Sequence, residues 1–190
     1  MRKIIVSEFV SLDGVFEAPG PDGSDYKHQG WTFKFSGDDI MKFKYDELMA
    51  ADTQLLGRIT YEGFAKAWPN IEGTGNFGEK MNSMEKFVVS SSLKKADWQN
   101  SKIIKKDFAK EIARLKENKG GDILVAGSGK LVNFLLQLGL VDELRLLVYP
   151  IILGTGKKLF SKDAYTKLKL IESKQFKSGV VALRYEKNAI

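Results

Sequence analysis

The chain has 190 residues, 43% hydrophobic and 28% charged, with 30 basic against 24 acidic side chains (net +6), one histidine and no cysteine. That length suits one domain, spanning 1–190, which buries roughly 70% of its unfolded surface and needs no disulfide or metal staple. The missing cysteines exclude thiol catalysis, iron–sulfur clusters and a disulfide framework, and His28 alone builds no multi-histidine metal site. An all-carboxylate Mg²⁺ site, a bound organic cofactor or a binding module remain.

In chain order, the pattern predicts a strand over 3–9 (KIIVSEF), a helix over 38–50, a short buried strand over 53–56 and a helix over 59–68 stopped by Pro69. A strand follows over 86–90, a helix over 107–118, a strand over 123–126 and a helix over 130–138. The rhythm then changes to three extended runs, 143–153, 167–176 and 180–186, without helices between them. Strand–helix alternation implies parallel crossovers, and a terminal hairpin implies antiparallel strands at one edge. The expectation is an α/β fold: a mixed, mostly parallel sheet with helices on both faces and a C-terminal antiparallel hairpin.

Ligands of such sheets bind outside the carboxyl ends of the strands, and four strand ends here carry suggestive residues. After the second strand, Gly57-Arg58-Ile59-Thr60-Tyr61 offers helix N–H groups, the Arg58 fork and the Thr60 hydroxyl to a phosphate. The same residues also suit a tight turn and a surface helix. Ser90 and Ser91 end the next strand as phosphate donors or as ordinary turn formers. Gly127-Ser128-Gly129-Lys130 follows a buried strand and opens a helix, which lets backbone approach a pyrophosphate; the third glycine of the dinucleotide fingerprint is missing. Past the first strand, Ser11-Leu12-Asp13-Gly14 is a turn in which Asp13 is placed to position a substrate or relay a proton. The Gly-, Pro- and Asp-rich segment between Gly14 and Trp31 reads as a lid or as disordered, and His28 lies within it.

Residues 1–100 hold 12 basic and 15 acidic side chains, whereas residues 101–190 hold 18 and 9. Nucleic-acid binding, a solvated lysine face and attraction of a small polyanion are all open to such a half. No aromatic–basic interleaving of the RNA-binding type is present, so no nucleic-acid partner is expected. The first residues lack a signal-peptide core and no apolar run approaches the roughly 18 residues of a membrane span. A cytoplasmic location without membrane contact is the expectation.

In this order, the four sites resemble the RibD C-terminal-domain family, the reductase half of riboflavin-type deaminase–reductases, within the dihydrofolate reductase-like superfamily. The resemblance rests on Ser11-Leu12-Asp13-Gly14, Gly57-Arg58-Ile59-Thr60-Tyr61, Val89-Ser90-Ser91 and Gly127-Ser128-Gly129-Lys130-Leu131. Its most specific part is Val141-Asp142-Glu143-Leu144 through Pro150-Ile151-Ile152-Leu153-Gly154-Thr155-Gly156 to Leu159-Phe160. The resemblance implies a stand-alone NADPH-dependent reductase of a small heterocyclic or sugar-phosphate-like substrate. Arg58, Ser90 and Ser91 would lie near the 2′-phosphate; Thr60 and Gly127 to Lys130 would cradle the pyrophosphate, Gly57 and Leu131 would also bind the cofactor, and the nicotinamide would lie near the first strand and Asp13. A dihydrofolate reductase acting on a pterin is the alternative, because Asp39-Ile40-Met41-Lys42-Phe43-Lys44 is similar to the helix that grips the pterin, with Asp39 as its carboxylate. Capping of that helix is the other reading of Asp39. A non-catalytic nucleotide- or nucleic-acid-binding module is a further alternative. The resemblance also implies a homodimer.

Overall fold

The computed structural model describes residues 1–162 and 164–187; Asp163 and the last three residues of the 1–190 span lie outside the described residues. The elements run β1 (Ile4–Ser11), α1 (Asp38–Ala50), β2 (Ala51–Gly57), α2 (Arg58–Ala67), α3 (Gly75–Ser83), β3 (Glu85–Val89) and β4 (Ser101–Ile104). They continue with α4 (Phe108–Glu117), β5 (Asp122–Val125), α5 (Gly129–Gln137), β6 (Glu143–Tyr149), β7 (Leu168–Gln175) and β8 (Val181–Lys187). All eight strands join one sheet in the order β4-β3-β2-β5-β1-β6-β8-β7. The six from β4 to β6 are parallel, and β8 and β7 add the antiparallel hairpin. Six carboxyl ends therefore share one edge. Among the described residues, no helix is long and apolar enough to cross a membrane.

Alternation along the strands divides the core. Ile4, Val6, Leu55, Ile123 and Val125 face α4 and α5, where Ile112, Leu131, Val132 and Leu135 meet them. Ile5, Leu56, Val88 and Leu124 face the other way, against Leu48, Tyr61 and Met81 of α1, α2 and α3. A third cluster, with Val15, Trp31, Ile40, Tyr149 and Phe176, fills the space between the segment after β1, α1 and the hairpin. The fold class is thus the expected one.

Two elements escape the sequence pattern, α3 and β4. The α3 sequence GNFGEKMNS carries two glycines and two asparagines, poor helix formers. It is held by tertiary contacts: Met81 in the core, and Asn82 Nδ2 donating to the carbonyls of Gly78 (3.0 Å) and Trp68 (3.3 Å). β4 has four residues and lies at the sheet's outer edge, too short for a periodic signal. A third departure concerns the 143–153 run: β6 stops at Tyr149. Pro150 has no N–H to continue a ladder, and the Leu153 and Gly154 amides donate to Asp13 instead.

The α3–β3 junction rests on Lys86, which is fully buried. Its ammonium donates to the carbonyls of Asn82 (2.8 Å), Met84 (2.8 Å) and Gln99 (3.2 Å) and lies 4.2 Å from the centre of the Trp98 ring. It thereby ties α3, β3 and the connection to β4. Lys86→Met keeps the volume but removes the donor from the buried Met84 carbonyl and the part-buried carbonyls of Asn82 and Gln99, and should cost about 2–4 kcal/mol. Urea denaturation is the check.

Candidate active site

Strand register lines up the carboxyl edge. Pairing of Gly57 with Val89 and of Val89 with Ile104 sets Arg58, Ser90 and Lys105 side by side just beyond the strands. Next to them, the ends of β2 and β5 are joined by Ser128. Its hydroxyl accepts the Gly57 N–H (2.9 Å) and hydrogen-bonds the Thr60 hydroxyl (2.7 Å). To do this Ser128 adopts a left-handed conformation (φ 66°) at the head of α5, which costs a non-glycine residue about 1 kcal/mol. Both flanking glycines are required by contact: a Cβ on Gly57 would stand 2.5 Å from Ser128 Oγ, and one on Gly127 (φ 73°) 2.9 Å from Thr60. Neither α2 nor α5 has a side-chain cap at its N-terminus. Two helix starts with unsatisfied N–H groups therefore sit together, an arrangement that attracts an anion.

Beside this knot the sheet parts. The β1–β5 ladder ends at Val6↔Val125, whereas the β1–β6 ladder continues to Ser11↔Tyr149. The last five residues of β1 consequently have a strand neighbour on one side only. Aromatic rings wall one face of this stretch: Phe9, Trp31 and Phe35 each meet Tyr149 edge to face at 5.1–5.8 Å. The segment after β1 lies over the α5 turn. Phe16 fills the space in which a Cβ on Gly129 would stand, 2.5 Å from its ring.

Asp13 holds the opposite wall. Its carboxylate accepts the Ser11 hydroxyl (2.7 Å) and the N–H groups of Leu153 (3.1 Å) and Gly154 (3.0 Å). The Ser11 hydroxyl and then the Leu153 amide hold the carboxyl down to about 2, so Asp13 is an anion at neutral pH. Residues 150–158 are further tied to the first loop by Phe16 N–H to Lys157 O (3.0 Å), Lys157 N–H to Glu17 Oε2 (2.9 Å) and Tyr26 Oη–H to Thr155 O (2.6 Å). The 14–31 loop is therefore pinned to the site, with Trp31 Nε1 donating to Glu17 O (2.9 Å).

The remaining sequence candidates fall variously. Arg58 is half-exposed and pairs with Glu62 (2.8 Å). Ser90 is buried and caps the amides of Ser92 and Leu93, while Ser91 is exposed. Lys130 is exposed at the start of α5; the Leu131 side chain is in the core, so only its N–H faces the edge. Asp39, the pterin-gripping or capping candidate, stands at the start of α1. Its carboxylate accepts the N–H of Ile40 (3.0 Å) and of Lys177 (2.9 Å), fastening α1 to the hairpin turn, and these contacts, the Lys177 amide first, lower its pKa. His28 meets Tyr26 edge to face at 5.7 Å.

Sequence reasoning passed over Glu8, Phe16 and the Lys105–Lys106 pair. A charged residue inside the apolar β1 run was the available signal for Glu8. The lysines stayed hidden because β4 did. Among the described residues no three His, Asp or Glu side chains cluster to hold a metal ion. Substituting Asp13→Asn removes an acceptor from the Leu153 and Gly154 amides, and their hydrogen exchange should quicken roughly fivefold to tenfold, about 1 kcal/mol per bond lost. Because folding depresses this carboxyl, its contribution is present above about pH 4, where the unfolded side chain ionises, and is lost as pH falls toward 2. Acidification of the wild-type protein should therefore lower the protection of the same two amides, measured against their intrinsic exchange rates at each pH.

Comparison with known proteins identifies the fold and the family. The RibD C-terminal domain matches residues 2–182. The uncharacterized protein YyaP of Bacillus subtilis strain 168 is 34% identical over 191 residues, covering 98% of this chain and 96% of that protein. The "Putative riboflavin biosynthesis protein" of Shewanella sp. PV-4 superposes with a TM-score of 0.77 at 20% identity, over 98% of this chain and 99% of that one. Dihydrofolate reductase of Enterococcus faecalis, solved with NADP(H), superposes with a TM-score of 0.65 at 14% identity, over 98% and 97%. The two structures establish the dihydrofolate reductase-like fold, and the span of the family match decides membership. The chain belongs to the RibD C-terminal domain family.

Proposed function

We propose that the protein is an oxidoreductase that uses NADPH to reduce a small heterocyclic or sugar-phosphate-like substrate, in the manner of 5-amino-6-(5-phosphoribosylamino)uracil reductase of riboflavin biosynthesis. The observation that carries this reading is the pair of uncapped helix starts joined by Ser128, set beside the parting of β1 from β5. The charge and donor groups of these residues support this reading. The N–H groups at the starts of α2 and α5 meet a pyrophosphate, with Lys130 at the rim. Arg58 and the exposed Ser91 meet a 2′-phosphate, with Lys105 and Lys106 adjoining them. Ser90 shapes that turn through its bonds to Ser92 and Leu93.

When bound, the dihydronicotinamide supplies a hydride. The protein's own share is to hold that ring against the open side of β1, to wall it with aromatic rings and to keep water from the site. Asp13 shapes the substrate side by fastening 150–156, where Leu12 and Ile152 are exposed. A hydride donor also suits a chain with no cysteine and a single histidine in a loop.

Titration with NADPH, followed by energy transfer from Trp31, Trp68 and Trp98, should saturate in the micromolar range. Arg58→Ala should weaken NADPH about tenfold to a hundredfold, the loss of one charge-assisted phosphate contact, and leave NADH nearly unchanged. Equal losses for the two cofactors would refute the assignment of Arg58 to the 2′-phosphate. A comparison of NADPH oxidation with dihydrofolate and with the aminopyrimidine ribosyl phosphate separates the two substrate classes.

A further inference from the structure

Glu8 lies within the central strand, 4% exposed, on the face that β1 turns toward α5. It is the second residue beyond the last β1–β5 pair, at the point where the strands part. The Gly127 backbone lies beside its carboxyl, while Oε1 has no hydrogen-bond partner among the described residues. A buried carboxyl with an idle oxygen, set against the turn that opens α5, is costly unless something completes it.

The groups around it leave it uncommitted. Lys44 of α1 draws it toward ionisation and Glu47 opposes, but Lys44 bonds Ser7 and Glu47, and Arg145 of β6 bonds Glu47 and Glu143. β6 places the uncharged Leu146 beside it. On α5 the one charged side chain, Lys130, is exposed, and Asp13 and Glu17 over the turn are held by residues 153–157. Burial dominates and raises Glu8 to about 8, so it keeps its proton at neutral pH.

We propose that Glu8 is the proton-holding residue at the reacting end of the site, neutral beside the reduced nicotinamide ring and ionised beside the oxidised, cationic one. This rests on the NADPH reading above. A fixed positive charge within a few ångströms favours the carboxylate, whereas an uncharged ring favours the acid. Glu8 thus biases the site toward the reduced cofactor at neutral pH and releases a proton when the oxidised form occupies it.

The test is the ratio of NADP⁺ to NADPH affinity as a function of pH. The 2′-phosphate is the same on both cofactors, so its own protonation cancels in the ratio. Between about pH 6.5 and pH 9 the ratio should rise about tenfold in favour of NADP⁺, as expected for a shift of about one unit by the ring charge. Calorimetry in two buffers of different ionisation heat should show proton release on binding NADP⁺ at pH 7 and none on binding NADPH. Glu8→Gln should flatten the ratio while still binding NADPH. A flat ratio in the wild-type protein overturns the proposal whether or not the variant folds, and so does a slope that survives in Glu8→Gln. Failure of both cofactors to bind would instead overturn the NADPH reading and this inference with it.

Discussion

β1 runs five residues farther beside β6 than beside β5, and the carboxyl edge is organised around that inequality. A sheet interior normally pairs both sides of a strand, because an unpaired buried amide costs as much as a lost hydrogen bond. Here the chain opens a parallel sheet at its centre and lines the opening with what an anionic, partly aromatic ligand needs. Two helix starts stand on one side, aromatic rings cover a face, and a loop crosses the top. Ser128 makes this possible by joining β2 to β5 where β5 no longer joins β1.

Two carboxyls lie five residues apart on the same stretch and have opposite environments. Asp13 is near solvent, receives one hydroxyl and two amides, and is held as an anion. Glu8 is enclosed by apolar strand neighbours and is held as an acid. Hydrogen bonds stabilise charge in the first case, and desolvation removes it in the second. The same residue chemistry thus serves as a loop fastener at one position and as a proton store at the other.

The uneven charge along the chain is partly settled across the sheet. Arg145 and Arg184 are directly opposed on β6 and β8, an unfavourable pairing by itself. Glu143 bonds both, Glu47 of α1 takes Arg145 and Glu172 of β7 takes Arg184. Glu17 of the acidic first half likewise binds Lys157. Part of the basic excess is thereby matched internally, between segments far apart in sequence.

The sequence by itself determined the fold class and most elements, because long apolar periods and glycine or proline stops are local properties. It also marked Gly57, Thr60, Gly127 and Ser128, because several anion-friendly turns fall at strand ends that parallel crossovers align, although each turn taken singly also suits a tight turn. It did not reveal α3 or β4, which exist through Met81, Asn82 and edge pairing and not through propensity. Nor did it show that Asp39 fastens a hairpin turn, that Asp13 holds residues 153 and 154, or that Glu8 stands where two strands part. Those outcomes depend on contacts between residues up to about 140 positions apart. Burial and register decide a carboxyl's charge and partners, and only the folded chain sets both.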